Sequence, residues 1–316
     1  MKKYDLLITG CGFSSIFGAR EAVRHGLNIL VVEKSIDISY PPSGSMFISS
    51  DTYEKYFSAY GSYLNGRFNM ITIRSENFEN DYLLERGKEI ISVDREKIIR
   101  HMCADLAGSG LEIRIKSSIE GIQDMGDRFR ITGMIEGKIE EFEVEKIAFG
   151  DGNARNKQII HRDGCTFHSY TSSYSRSISP RKLDARFVSG LLGDQNYLIE
   201  ADIGKNVETL GVGLDTGVAR GNVAHFRYNG EIHTCFPEYR KGMAFLGNMT
   251  GSTRILGIPV RHAIELSVDA MNNLIEDAGP EGNMRLEEKW RMLDESWKNA
   301  DLDPIDSIRE RIPVGI

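Results

Sequence analysis

The chain is predicted to be α/β, from a strand–turn–helix–strand signature at its start and a change to β patterning further along. An apolar run, Tyr4-Asp5-Leu6-Leu7-Ile8-Thr9, meets the glycine pair of Gly10-Cys11-Gly12. Apolar residues then recur at helical spacing through Ala19, Ala22 and Val23. A second apolar run, Ile29-Leu30-Val31-Val32, ends in Glu33. This is the layout of a dinucleotide-binding βαβ unit. From about residue 165 to 240 the pattern is mostly β. The expected fold is therefore a three-layer, Rossmann-like nucleotide-binding domain with a smaller, mostly antiparallel β domain for substrate.

Each residue of the turn has a physical task. Gly10 permits the tight turn, and Gly12 lets the backbone approach a pyrophosphate whose charge the helix N-terminus stabilises. Phe13, Ser14 and Ser15 form the first helical turn over that phosphate. Ser15 stands where a third glycine normally allows close helix–strand packing, so a slight shift of the helix is expected. Glu33 lies about 20 residues on, where a carboxylate accepts hydrogen bonds from ribose hydroxyls, and Lys34 follows it. A carboxylate there disfavours a 2′-phosphate, so NADP is not expected at this site.

Composition narrows the class. The 316 residues suggest one large or two modest domains, and 41% hydrophobic content is normal for a globular core. A net charge of −7 gives no general attraction to nucleic acid. The four cysteines, Cys11, Cys103, Cys165 and Cys235, form no CxxC pair, which argues against a zinc ribbon and a secreted disulfide framework. The N-terminus enters a strand directly, and no apolar run is long enough to span a membrane. A cytoplasmic protein is expected, with a peripheral membrane contact left open.

Along the chain, residues 3–34 are the βαβ unit. Residues 35–90 read as irregular, with a strand-like Asn69-Met70-Ile71-Thr72-Ile73. A helix is expected over 94–108, from Ile98, Ile99, Met102 and Leu106, then a strand at Leu111–Ile115. Phe129–Thr132 and Phe142–Val144 read as a hairpin turning at Glu136-Gly137, and Ile147-Ala148-Phe149 as a separate short strand before Gly150-Asp151-Gly152. A strand at Met243–Leu246 precedes Gly247-Asn248, and a helix is expected from about Pro259 to Ala278. The domains expected are 1–160, the first part of the nucleotide-binding domain with its irregular insertion at 35–90; 161–240, the β-rich substrate domain; and 241–316, the second part with C-terminal helices. Leu286, Trp290, Leu293 and Trp297 repeat at helical spacing and read as packing, with a partner surface or membrane contact as the alternative. His225, His233 and Cys235 have a strand context with no second cluster, so no metal site is expected. The Ser- and Tyr-rich Ser169–Ser179 with Arg176 reads as an exposed loop, with phosphate binding as the alternative.

Five stretches, taken in order, resemble the FAD-dependent geranylgeranyl reductase family, within the wider aromatic-hydroxylase type of FAD protein. They are the βαβ unit ending in Val31-Val32-Glu33-Lys34; Val93-Asp94-Arg95 with its helix and Gly110-Leu111-Glu112-Ile113; Gly150-Asp151-Gly152, at the place of the family's Ala-Asp-Gly; Gly211-Val212-Gly213; and Phe245-Leu246-Gly247-Asn248-Met249-Thr250-Gly251 followed by Gly257-Ile258-Pro259 and a helix. The resemblance implies FAD as cofactor. It implies that Arg95 and Asp151 lie near it, that Gly247 and Asn248 meet the ribityl chain, and that the helix after Gly257 and Ile258 points its positive end at the flavin ring. Asn248 stands where the family has aspartate; its amide oxygen still accepts a hydrogen bond.

The chain also departs from the family. Tyr40-Pro41-Pro42-Ser43-Gly44-Ser45 matches a Pro-x-x-Cys-Gly-Gly type segment, with Ser43 replacing the thiol and Ser43 and Gly44 expected near substrate. Tyr197-Leu198-Ile199-Glu200-Ala201-Asp202 matches Tyr-x-Trp-x-Phe-Pro, which lines the prenyl pocket; only Tyr197 remains, and two charges appear. The segment between Gly213 and Phe236-Pro237 is short. These changes point away from a long prenyl lipid and toward a small or partner-presented substrate, with a protein electron donor or NAD(P)H. The resemblance implies hydride transfer between flavin N5 and an unsaturated or oxidisable substrate. A flavin monooxygenase and a non-catalytic flavin-binding accessory protein are the alternatives. No catalytic acid or base, and no oligomeric state, is legible.

Overall fold

The computed structural model describes residues 3–38, 45–74, 81–151, 167–178, 187–191, 197–202, 206–213, 225–233, 235–250 and 260–298. The element order is β1 (Lys3–Thr9), α1 (Phe13–Arg24), β2 (Ile29–Val32), β3 (Ser45–Ser49), α2 (Ser50–Tyr56), β4 (Leu64–Arg74), β5 (Asp81–Asp94), α3 (Arg95–Ala107), β6 (Leu111–Arg114), β7 (Ser118–Asp124), β8 (Phe129–Ile135) and β9 (Lys138–Phe149). It continues with β10 (Phe167–Ile178), β11 (Phe187–Leu191), β12 (Tyr197–Asp202), β13 (Asn206–Gly213), β14 (His225–His233), β15 (Met243–Phe245), α4 (Val260–Ile275) and α5 (Gly279–Lys298). Contacts divide the chain into two units: Met1–Tyr40 with Ile99–His168 and Glu231–Asp294, and Pro41–Ile98 with Ser169–Gly230 and Glu295–Ile316.

The first unit is built on a seven-stranded sheet in the order β6-β2-β1-β9-β8-β7, with β15 also on β9. Its centre is parallel: β1 lies between β2 and β9, β6 follows β2, and β15 follows β9. Parallel strands are covered on both faces, which is why Ile29–Val32 is apolar without a break and buried at every position. On one face, Leu7, Val32, Ile147 and Phe149 pack with Phe129 and Ile131 of the β7–β8–β9 meander. Phe149 stacks on Phe245, with ring centroids 5.5 Å apart. Helices α1 and α4 meet closely at Gly18, where a Cβ would stand 3.1 Å from Met271 Cε. Leu286 and Trp290 of α5 are buried, Trp290 beside Phe236, as the packing reading expects for those two residues.

The meander corrects one sequence reading. Phe142–Val144 and Ile147–Phe149 are one strand, β9, of 12 residues. Its first half pairs antiparallel with β8 and its last three residues pair parallel with β15. The charged pair Glu145-Lys146 inside β9 masks the continuity, because it breaks the apolar pattern between Val144 and Ile147. The turn at Glu136-Gly137 is as expected: both residues have positive φ, 50° and 85°, the requirement of a two-residue type I′ hairpin.

The second unit is an eight-stranded sheet in the order β14-β10-β13-β12-β11-β4-β5-β3. β11 runs parallel to β4; the pairs β10–β13, β11–β12, β12–β13, β3–β5 and β4–β5 are antiparallel. Here the irregular reading of 35–90 fails, since that stretch supplies β3, β4 and β5. The β4–β5 ladder shifts register between Leu64 and Gly66 and again between Phe68 and Met70. Each shift breaks the two-residue alternation on which a strand is recognised. Glycine and charge inside the strands, as at Asn65-Gly66-Arg67 and Arg86-Gly87-Lys88, hide them further.

Candidate functional site

The parallel order of the first unit brings the carboxyl ends of β1, β2, β9 and β15 to one edge of the sheet. In open α/β sheets that edge is where ligands bind. Gly10, Gly12, Glu33, Asp151 and Gly247 all follow one of these strand ends.

Gly10 is a requirement of the chain itself. Its φ is +79°, and a Cβ there would stand 2.6 Å from the Asp151 Cα. Gly10 N donates to Val32 O at 2.8 Å and Gly150 N donates to Thr9 O at 2.9 Å, so the turn is stitched to both neighbouring strands. Gly12 is different. It caps α1 with φ −88° and ψ 176°, a conformation open to any residue, and no side chain caps the helix. A Cβ on Gly12 would meet nothing within 4 Å among the described residues. Nothing in the described fold asks for glycine at this position, and the space over it is open.

Glu33 is half-buried and doubly anchored. Its Oε2 accepts from Cys11 N at 2.9 Å and its Oε1 from Ser35 N at 2.8 Å. The carboxylate thus braces the glycine turn and keeps lone pairs for further donors. Lys34 is exposed. Beyond Lys34, the Asp37 carboxyl is held below the usual carboxylate range, chiefly by a hydrogen bond from Arg100 of α3.

The expected helix shift at Ser15 is answered by an exchange of volume. Ser15 is fully buried with its Oγ 3.5 Å from Gly150 O, and a Cβ on Gly150 would stand 2.2 Å from that hydroxyl. A side chain gained on the helix is matched by one absent from the end of β9. Gly150→Ala is therefore expected to destabilise the protein by about 1–2 kcal/mol, and Ser15→Gly in the same chain to recover most of it. Chemical denaturation of the two single variants and the double variant reads the coupling; additive effects would show that the residues do not share this space.

Phe13 is buried, so it offers a ligand its backbone rather than its ring. Ser14 stands beside Gly247, whose φ is +58° and where a Cβ would come 2.5 Å from the Ser14 Oγ. Gly247 N donates to Ser267 Oγ at 2.9 Å, and that hydroxyl donates to Ala263 O at 2.6 Å. Ser267 is a positioning residue that the sequence reading missed: it ties α4 to the turn carrying Asn248. The available signal was a serine on the apolar stripe of Ala263, Leu266, Ala270 and Met271. Asn248 lies in the 3-10 turn Gly247–Thr250.

Two other expected positions belong to the second unit. Arg95 opens α3 in the second unit, after Asp94, whose Oδ1 accepts from Lys97 N at 3.0 Å. Tyr197 begins β12, opposite Leu191 and Val212. Glu200 and Asp202 lie further along the same strand, opposite Thr209 and Val207 of β13. Ser43, Gly44, Gly257 and Ile258 lie outside the described residues. Cys235 is disulfide-bonded. Among the described residues, no group of three or more His, Cys, Asp or Glu could hold a metal, and no helix is long and apolar enough to cross a membrane.

No protein-family model matches the chain. It is 25% identical over 136 residues to digeranylgeranylglycerophospholipid reductase 3 of Methanosphaera stadtmanae, a match covering 42% of this chain and 34% of the relative. The matched segment thus spans about a third of that relative's length. Among solved structures, the chain is similar to a geranylgeranyl bacteriochlorophyll reductase-like protein of Thermoplasma acidophilum, at TM-score 0.70 and 18% identity over 98% of this chain and 91% of the other. It is also similar to the myxobacterial chondrochloren halogenase, described as a variant of FAD-dependent halogenases, at TM-score 0.68 and 12% identity over 98% and 82%. At these identities the structural likeness is one of fold.

Proposed function

We propose that the chain binds FAD and is an oxidoreductase of the geranylgeranyl-reductase-like group. The observation that supports this most is Gly12, a glycine that the described chain does not itself require, at the uncapped head of α1. The open space there fits a pyrophosphate approaching the backbone, and the first-turn amides of α1 favour its charge. Glu33 accepts from ribose hydroxyls while its two backbone anchors fix the carboxylate. Ser267, through Gly247, holds the Gly247–Asn248 turn, and Asn248 accepts from the ribityl chain. Bound FAD supplies hydride exchange at flavin N5 with an unsaturated or oxidisable substrate. Electrons come from a protein donor or NAD(P)H.

Glu33→Ala is expected to weaken FAD binding by about 1.5–3 kcal/mol, the range for hydrogen bonds to a charged group. Fluorescence titration of the apoprotein measures it, and an unchanged dissociation constant would mean that the acid is not at the ribose.

The substrate is a small molecule or a side chain presented by a partner. Ile199 and Ala201 stand where family members carry the Trp and Phe of the prenyl pocket, and this loss of aromatic surface, together with the charges of Glu200 and Asp202, supports the reading. With the flavin reduced anaerobically by dithionite, a geranylgeranyl lipid is expected not to hasten its reoxidation. Fast reoxidation with a saturated lipid product would show that the chain retains prenyl reduction.

A further inference from the structure

We propose that Cys11 and Cys103 form a redox-sensitive pair, oxidised to a disulfide by a peroxide, and that the cross-link pulls the glycine turn out of its nucleotide-binding shape. The last clause rests on the FAD reading; the cross-link does not. The two thiols are only 2% and 3% exposed, and their sulfurs are 3.7 Å apart. Both are in thiol form, in contrast to Cys235. Cys11 is the middle residue of Gly10-Cys11-Gly12, and its N–H is the donor that holds Glu33 Oε2. Cys103 lies on α3.

The chemistry balances with hydrogen peroxide as the oxidant. One thiol sulfur takes an oxygen from the peroxide to become a sulfenic acid, and one water leaves. The second thiol sulfur then attacks the sulfenic sulfur; the S–S bond forms, the S–O bond breaks, and a second water carries away the oxygen and the thiol proton. Burial at 2% and 3% exposure disfavours bulky oxidants, which is why the oxidant is one little larger than water. The neighbouring thiol is already in contact, so condensation competes well with further oxidation.

A disulfide needs its sulfurs about 2.05 Å apart, so the pair must close by more than 1 Å. The two ends differ in stiffness. Cys103 sits within a helix whose Ile99, Met102 and Leu106 are buried. Gly10 on one side of Cys11 is held by the neighbouring strand, but Gly12 on the other meets no described packing, and a glycine backbone turns at little cost. The turn therefore moves, taking the Cys11 amide away from Glu33 and changing the path of Gly12. By linkage, a nucleotide that holds the turn in place disfavours the disulfide at equilibrium by the same factor as the disulfide weakens its binding.

The test treats the reduced protein with hydrogen peroxide, alkylates it, digests it without reductant and weighs the peptides. A peptide joined through Cys11 and Cys103 is expected. FAD binding should weaken by at least about tenfold on oxidation and return with dithiothreitol. Cys103→Ser should bind FAD as the wild type does and be indifferent to peroxide; it keeps the Cys235 disulfide, so it separates that bond's reduction from the effect. Hydrogen exchange at residues 11–14 reads the turn directly, and faster exchange in the oxidised protein is expected whether or not FAD binds. Absence of the joined peptide would overturn the proposal, as would a joined peptide with unchanged exchange in the turn. A joined peptide with altered exchange in a protein that binds no FAD in either state would instead remove the FAD reading.

Discussion

Gly12→Val is expected to abolish FAD binding and leave the apoprotein folded. The backbone at residue 12, φ −88° and ψ 176°, suits a β-branched residue, and a Cβ there meets no described neighbour within 4 Å. Its volume falls in the space over the head of α1 that the pyrophosphate needs. The loss should be at least about 100-fold in affinity, near 2.8 kcal/mol. Circular dichroism and the thermal midpoint of the apoprotein should stay close to the wild type. Retained flavin occupancy would show that the glycine turn serves the fold alone.

Gly10→Ala has the opposite signature. The residue sits at φ +79°, where an L side chain is strained by about 1–3 kcal/mol. The new Cβ would stand 2.6 Å from the Asp151 Cα, a backbone atom that cannot rotate away. Overpacking of this kind costs about another 1–3 kcal/mol, so a total near 3–5 kcal/mol is expected. Denaturant unfolding of the apoprotein measures it without any cofactor. Stability within about 0.5 kcal/mol of the wild type, the range of neutral surface changes, would mean that the turn is not held as described.

These two glycines show what the sequence carries and what it does not. Their places in the motif already assign them different tasks, a tight turn and an approach to phosphate. That the chain itself requires glycine at position 10 and not at position 12 depends on a dihedral angle and on what stands nearby in space. The βαβ unit was legible because its strands are buried on both faces and so read as unbroken apolar runs, and because Glu33 closes the second of them. The helix over Arg95–Ala107 was legible from its spacing. Contacts between distant segments were not. Ser15 meets Gly150 across 135 positions, and Cys11 meets Cys103 across 92. Neither pairing leaves a local trace. The strands between residues 45 and 94 were hidden by two register shifts that disrupt alternation, and the single strand β9 by the charged pair Glu145-Lys146 in its middle. Ser267 could have been suspected only as a polar residue on an apolar helix face, with nothing to name Gly247 as its partner.

The most direct test of the proposed function is to identify what the purified protein carries. The protein is denatured, the supernatant is chromatographed, and the apoprotein is then reconstituted with FAD. Release of FAD, non-covalently held and in near-stoichiometric amount, or its full uptake on reconstitution, is the expected result. Release of NAD alone, or no uptake of FAD by a folded apoprotein, would contradict it.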